Sequence, residues 1–101
     1  KFGVMPCLTS LECGVLALTY GRPGIWLTFS LYGTGRQWTD PLCLLKSDPQ
    51  NRDASTDGYT SMLPIGPNQL LLAYCDFQYK DEQGNQRKAV LVRKITIYSL
   101  E

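Results

Sequence analysis

The chain has 101 residues, which fits one small domain or a piece of a larger one and is too short for two ordinary domains. Hydrophobic residues make up 44% of it and charged residues 19%, a balance that predicts a folded protein and excludes charge-driven disorder. Ten basic and nine acidic side chains leave a net charge of +1, which excludes a general attraction to nucleic acid or anionic membranes.

The sequence contains no histidine. The chain alone therefore cannot build a Ser-His-Asp or Cys-His nucleophile, a His-ligated zinc site or an imidazole acid–base catalyst. Any chemistry in this chain must use carboxylate, Tyr, Cys, Lys or Arg side chains.

Four cysteines are spaced by 5, 29 and 31 intervening residues, which matches neither a zinc ribbon nor a C-x-x-C redox motif. We therefore expect no metal and no cofactor. Four cysteines permit three disulfide pairings, but apolar residues stand beside Cys7, Cys43 and Cys75, a context typical of buried free thiols, and we expect the cysteines to be buried thiols. The cysteines in question are Cys7, Cys13, Cys43 and Cys75.

Short apolar runs rich in β-branched and aromatic residues predict an all-β chain, and no window shows helical periodicity. In chain order the predicted strands are 4–11, 15–20, 25–30, 38–45, 60–65, 70–76 and 89–98. Gly, Pro and Asn mark the turns between them. The polar segment 46–58 is predicted to be a long loop, and such loops are usually functional or mobile.

The two ends of the chain carry little information about its location. No apolar stretch is long enough for a membrane span, and the first residues have no signal-peptide pattern. Because the chain lacks an initiator Met, we expect it to be a segment of a longer protein.

The predicted strands contain an internal sequence repeat, which we call the internal echo. Residues 16–20 (LALTY) and 70–74 (LLLAY) superpose at an offset of 54, each in a unit of several short strands. Repeats of about 40–50 residues with four antiparallel strands are typical of β-propeller blades. The alternative is a β-sandwich or small barrel in which the echo is chance similarity.

The segment 30–38 (SLYGTGRQW) lies between predicted strands and resembles the Asp-box, or bacterial neuraminidase repeat, of sialidase-type propellers. That motif reads S-x-D-x-G-x-x-W, or is one residue longer, and forms the turn between the third and fourth strands of a blade. Gly33 and Gly35 permit the tight turn, the Ser30 hydroxyl can bond turn amides, and Trp38 can cover the hairpin. The departure is Tyr32, which stands where the family has Asp, so this copy is degenerate.

The surrounding chain extends the resemblance to nearly all of its length. In sialidase-like propellers an arginine opens the strand that leads into a late Asp-box, and here Arg22 stands in that position. A tyrosine in a Gly-Tyr-Ser/Thr-Ser context opens the next blade, and here the segment is 58–61 (GYTS). The chain thus resembles the last two blades of a six-bladed sialidase-like glycoside hydrolase. The resemblance implies one blade at 1–48 with the degenerate Asp-box, an inter-blade loop at 46–58, and a final blade at 58–101.

The resemblance also implies roles for two residues. Arg22 matches the third of three arginines that grip the substrate carboxylate, a task suited to a planar and always charged guanidinium. Tyr59 matches the nucleophile, since sialidases use Tyr where other glycosidases use a carboxylate. A neutral phenol avoids the repulsion between an anionic nucleophile and the carboxylate of sialic acid. The alternatives are an exposed turn arginine at Arg22 and an aromatic packed between blades at Tyr59.

Other polar and aromatic residues are assigned structural roles. Trp26, Phe29 and Trp38 are expected in the core rather than on a sugar-binding surface. Three acidic residues are expected at turns or strand ends and not as the acid–base catalyst: Asp40, Asp57 and Asp76.

The sequence therefore predicts the C-terminal part of an exo-acting glycosidase for terminal sialic acid or a related acidic sugar. The other two arginines, the aspartate acid–base and the glutamate partner of the family are missing, so we expect the isolated chain to be inactive. The resemblance favours a secreted or periplasmic location. The expected partners are a sialylated or acidic glycan, and either further propeller blades or other copies of the chain.

Two other functions remain open on the sequence. One is a carbohydrate-binding propeller that has lost catalysis and acts as a lectin or receptor. The other is a two-blade unit that assembles as a homotrimer into a closed six-bladed ring, which would remove its exposed strand edges.

Overall fold

The structure is a computed structural model that describes residues 4–21, 23–51 and 54–98. Within these ranges the chain forms β-strands connected by turns and loops, with no helix. The all-β prediction is therefore confirmed at this level. The strands are β1 (Val4–Ser10), β2 (Leu16–Gly21), β3 (Ile25–Ser30), β4 (Leu42–Leu45), β5 (Thr60–Gly66), β6 (Gln69–Lys80) and β7 (Gln86–Thr96).

The strands form two antiparallel sheets in which neighbours in sequence are neighbours in space. The first sheet has the order β1-β2-β3-β4, and the second has the order β5-β6-β7. In the first, Ala17 pairs with Thr9 on one side and with Phe29 on the other. In the second, Ala73 pairs with Ser61 and Val92. The segment 46–59 carries the chain from the last strand of the first sheet to the first strand of the second.

The two sheets pack face to face around one core. In β2 and β6, the second strands of the two sheets, alternate side chains point to the face that meets the other sheet and are almost fully buried. We call these the inner faces. They include Ala17, Thr19, Ile25 and Leu27 from the first sheet, and Leu70, Leu72 and Tyr74 from the second.

The first strands of the two sheets, β1 and β5, run close together. At one end the Thr19 and Thr60 hydroxyls form a hydrogen bond of 2.6 Å. At the other end, the Cys13 amide after β1 donates to the Pro67 carbonyl after β5 at 2.9 Å. Thr19 belongs to β2 and pairs with Cys7 of β1, so the two contacts occur in the same order along β1 and along β5, and the two strands point in the same direction.

The opposite side of each sheet, which we call the outer face, is also apolar. It is only partly covered in the first sheet, where it includes Leu8, Leu16, Leu18 and Tyr20. In the second sheet it includes Leu63, Leu71, Val90 and Val92, of which Val90 is 71% exposed. The two-sheet stack therefore presents an apolar surface on each of its two sides.

The internal echo has a structural counterpart, because residues 16–20 lie in β2 and residues 70–74 lie in β6, the second strand of each sheet. The equivalent residues use opposite faces. Thr19 of β2 points inward, whereas Ala73, its equivalent in β6, lies on the outer face; Leu72 points inward, whereas its equivalent Leu18 lies on the outer face. The sheets are thus stacked head to tail.

The fourth and sixth strands differ most in length from their predictions. The fourth begins only at Leu42, because Pro41 has no amide to donate to a sheet, although the Thr39 amide still bonds the Phe29 carbonyl at 2.8 Å. The sixth continues beyond Asp76 to Lys80, since the register shift between Asp76 and Tyr79 absorbs the polar residues without ending the pairing with β7.

Candidate active site

The end of β2 meets the start of β5 at a close contact between two glycines. A Cβ atom placed on Gly21 would lie 2.1 Å from the Gly58 carbonyl oxygen and 2.3 Å from its Cα, so no side chain fits there. Gly58 also has a φ of 84°, in the left-handed region that favours glycine. The sheets approach this closely because Gly21 has no side chain, and the backbone conformation at Gly58 favours glycine there.

Hydrogen bonds fix the loop that delivers the chain to this point. The Asp48 carboxylate accepts bonds from the Gln50 amide and from the Gln78 side chain, at 2.8 and 2.9 Å. The bond from the Gln78 side chain is the main cause that lowers the pKa of Asp48, and the Gln50 amide adds to it. Further along the loop, the Phe77 amide donates to the Ser55 carbonyl at 2.8 Å. The loop is thus held along the second half of β6.

The last residues of the loop are ordered by their own side chains. The Gly58 amide donates to the Thr56 hydroxyl at 3.2 Å, and the Tyr59 amide donates to the Asp57 carboxylate at 3.0 Å. Ser55 and Thr56 are each only 2% exposed, and the Ser55 hydroxyl has no hydrogen-bond partner within the described ranges. These contacts set the direction in which the chain enters β5.

Tyr59, the nucleophile that the resemblance implies, lies immediately before β5 with half of its surface exposed. No hydrogen bond of its hydroxyl is found among the residues that the structure describes. The side chain is therefore accessible to a ligand at the edge formed by Gly21, Gly58 and Thr60.

Arg22, the residue that the resemblance assigns to carboxylate binding, lies outside the described residues. Its sequence neighbour Gly21 touches Gly58, the neighbour of Tyr59. The two stretches of chain that contain the predicted site residues therefore meet.

Asp57, two residues before Tyr59, interacts electrostatically with the Cys75 thiol. Partial burial raises the pKa of the Cys75 thiol, and the negative charge of Asp57 raises it further. Asp57 itself bonds the backbone at Tyr59, which agrees with its expected role as a turn residue. A thiol of raised pKa is a poor nucleophile at neutral pH, so Cys75 adds no evident reactivity to the site.

The turn that resembles an Asp-box has the geometry expected from its sequence. Gly33 and Gly35 have φ values of 70° and 73°, and the Gly35 amide donates to the Ser30 hydroxyl at 3.0 Å. The Trp38 indole donates to the Gly35 carbonyl at 2.9 Å. Tyr32, which replaces the acidic residue of the motif, is 83% exposed.

Two expectations about burial are wrong. Trp38 is exposed and Trp26 is half-buried, because the first sheet lacks a covering layer on its outer side and at its β3–β4 turn, whereas Phe29 is partly buried and packs against the core as expected. All four cysteines are free, as expected, but Cys13 and Cys43 are exposed and Cys7 and Cys75 are half-buried. Cys13 is exposed because it lies in a turn, and Cys43 is exposed because it lies on the short edge strand β4.

No sequence signal shows that certain polar and glycine residues bring the two sheets together. Thr19 and Gly21 occur in apolar or turn segments with no motif of their own, and Thr60 belongs to the segment 58–61 (GYTS), whose pattern does not indicate a contact with the first sheet. Only the pairing of the two units reveals their contact, although Gly58 had been noted beside Tyr59.

No group of three or more potential metal ligands occurs in the described part of the chain. No helix there is long and apolar enough to cross a membrane. Comparison with known proteins gives no match: no family model fits the chain, and no curated protein or solved structure is significantly similar to it.

Proposed function

We propose that the two sheets are consecutive blades of a six-bladed, sialidase-like β-propeller. The support is the head-to-tail stacking of two meander sheets whose first strands, β1 and β5, lie side by side in the same direction. This arrangement leaves one apolar outer face on each side. In a ring, neighbouring blades cover both of these faces.

The function that we propose is that of a part of an exo-acting glycoside hydrolase for terminal sialic acid or a related acidic sugar. The close approach of Gly21 and Gly58 carries this proposal. It joins the stretch that contains the candidate carboxylate-binding residue Arg22 to the stretch that contains the candidate nucleophile Tyr59. Hydrolase sites at sheet edges commonly combine residues from separate strands in this way.

In the proposed mechanism Arg22 binds the sugar carboxylate with two parallel N–H···O bonds. The Tyr59 oxygen attacks the anomeric carbon, and its proton passes to a carboxylate base. The glycosyl–tyrosine bond is then hydrolysed by water, which regenerates the phenol. The base and the acid that protonates the leaving group come from other blades, so the isolated chain is expected to release no aglycone from an aryl sialoside.

The test uses the complete protein that contains this chain. Tyr59→Phe removes the attacking oxygen, so kcat for an aryl α-sialoside should fall at least about 1,000-fold while the fold is unchanged. Tyr79→Phe, at an exposed position on β6, is the matched control and should leave kcat unchanged. Full turnover by Tyr59→Phe, or turnover by the isolated 101-residue chain, would contradict the proposal.

A second candidate function is self-assembly of this chain, which the two exposed apolar faces favour. Three copies of a two-blade unit would complete a six-bladed ring without further sequence. Sedimentation of the 101-residue chain separates the two, because a discrete trimer supports self-assembly and an open-ended series of species supports an incomplete propeller. A lectin-like propeller differs from both in binding the acidic sugar without turnover by the complete protein.

A further inference from the structure

A small open cleft lies beside the turn that follows β3. It has a volume of about 160 Å³ and is lined by Phe29, Leu31, Tyr32, Gln37, Trp38 and Thr39. The opposite end of β3 pairs with Gly21, so the cleft lies roughly 17 Å along the strand from the candidate active site. It is a separate feature of the molecule.

Two aromatic rings give the cleft its apolar surface. Tyr32 is 83% exposed and makes no hydrogen bond within the described ranges, so its ring is available to a ligand. Trp38 is 37% exposed, and the bond from its indole N–H to the Gly35 carbonyl holds the ring in one orientation. Phe29 and Leu31 are half-buried beneath this surface. Exposed aromatic rings beside a cleft are typical of binding sites.

The polar groups at the cleft are uncharged. Of its lining residues none is acidic or basic. The Thr39 hydroxyl is already used, since it bonds the Thr28 hydroxyl at 3.2 Å and accepts from the Phe29 amide at 3.1 Å. The Gln37 amide is exposed and has no partner in the part of the chain that the structure describes. It can therefore both donate to and accept from a ligand hydroxyl.

We propose that this cleft binds one neutral pyranose ring of a glycan. The C–H face of a pyranose is apolar and flat enough to pack against the Tyr32 and Trp38 rings, while its hydroxyls bond the Gln37 amide. The absence of charge in the lining matches a neutral sugar and provides no partner for a carboxylate. A proline-rich peptide fits less well, because a polyproline helix needs an extended groove with several contacts.

This site differs from the proposed catalytic site in position and in ligand, so it does not rest on the proposed hydrolase function. In a glycan-degrading protein it would retain a neutral part of the polymer chain. In a protein without catalysis it would be a lectin site in its own right.

The experiment is a titration of the protein with methyl β-galactoside, methyl α-glucoside and N-acetylglucosamine, followed through the indole N–H signals in ¹⁵N NMR spectra. We expect at least one sugar to shift the Trp38 signal and not the Trp26 signal, with a Kd on the order of 1 mM for a single ring. Tyr32→Ala should weaken binding at least about fivefold, since it removes one stacking surface. Tyr98→Ala, which also removes an exposed tyrosine, is the control and should bind as the unmodified protein does.

Other outcomes would overturn the proposal. These are the absence of saturable binding by all three sugars, equal binding by Tyr32→Ala, or a Trp38 shift caused by a proline-rich peptide but by none of the sugars. Tighter binding of N-acetylneuraminic acid than of every neutral sugar at this cleft, measured by the Trp38 signal, would also overturn it, because the cleft would then select for charge. Since Tyr32 makes no hydrogen bond to any residue that the structure describes, loss of fold should not obscure the result, and the unchanged Trp26 signal checks this directly.

Discussion

At the scale of single residues, Gly21 is the position least able to accept a side chain. A Cβ atom there would overlap the Gly58 backbone, and backbone atoms cannot move aside as the end of a flexible side chain can. The contact also determines how closely β2 and β5 approach, because it lies at the point where the sheets meet.

We predict that Gly21→Ala lowers the free energy of unfolding by about 2 kcal/mol or more, the usual cost of forcing an extra group into a packed interface. Gly66→Ala is the matched control, since its Cβ would meet only the Gln69 side chain, with the oxygen at 3.3 Å and the Cβ at 3.8 Å. Its expected loss is about 0.5 kcal/mol or less. Urea denaturation measures both, and equal stabilities for the two variants would show that the glycine contact does not constrain the sheets.

A local sequence motif predicts some properties of single residues and not others. The roles of Ser30, Gly33 and Gly35 followed from the sequence because a tight turn imposes local requirements on φ and on amide bonding. The exposure of Trp38 did not follow. Whether a large ring at a turn is covered depends on chain segments distant in sequence, and a local pattern contains no information about them.

At the scale of elements, the β6–β7 hairpin depends on one carboxylate. Asp81 accepts bonds from the Asn85 and Gln83 amides at 2.8 and 3.0 Å, and from the Arg87 side chain at 3.0 Å. These bonds lower the pKa of Asp81, with the Asn85 amide as the largest cause. The negative charge of Asp81 therefore stabilises the turn.

We predict that the hairpin turn loosens in acid. Since the folded-state pKa of Asp81 lies below its usual value, the stabilisation is present above that usual value and is lost as the pH falls through the lowered pKa, in a window below about pH 4. The amide-exchange protection of Asn85 should fall in this window. Asp81→Asn should abolish the pH step, whereas Asp40→Asn, an exposed site without such bonds, should retain it. A step that persists in Asp81→Asn would assign the effect to another group.

Strand positions were predicted well because each apolar run is bounded by Gly, Pro or Asn, and β3 begins and ends at the predicted residues. The ends of β6 and β7 were not predicted correctly. The chain continues through Asp76 because the cross-strand partner and a bulge compensate for a residue that disfavours strands, and both lie outside the local window.

At the scale of the whole molecule, the main feature is that the described part of the chain leaves its two apolar outer faces largely uncovered. Leu63, Val90 and Val92 are all more than half exposed on one of them. Soluble proteins seldom leave such a sheet face uncovered, so we expect the 101-residue chain to self-associate.

We predict that the double variant Val90→Glu and Val92→Glu weakens this association at least about tenfold, since each buried Val contributes about 1 kcal/mol or more. The double variant Gln83→Glu and Gln86→Glu adds the same charge at exposed positions of the same hairpin and is the control. Sedimentation velocity over a range of concentrations measures the association. A monomeric unmodified chain, or equal association of both double variants, would contradict the prediction.

The repeat at an offset of 54 indicated two similar units, but it did not predict that equivalent strands present opposite faces to each other. Alternation in a strand shows which residues share a face and leaves open which of two apolar faces meets the partner. Tyr59 and Arg22 likewise remain predictions from a resemblance.

The closeness of β1 and β5 has a consequence for the shape of the molecule. Contacts between the backbones of the two sheets are concentrated at β5 with β1 and β2, and the later strands have few or none, so the sheets diverge from their first strands outward like a wedge. A wedge repeated head to tail turns through the same angle at each step. A ring of six closes at about 60° per sheet, whereas any angle that does not divide a full turn produces an open spiral. The angle is set along the edge where β1 and β5 lie side by side, and Gly21 and Gly58 lie at one end of that edge.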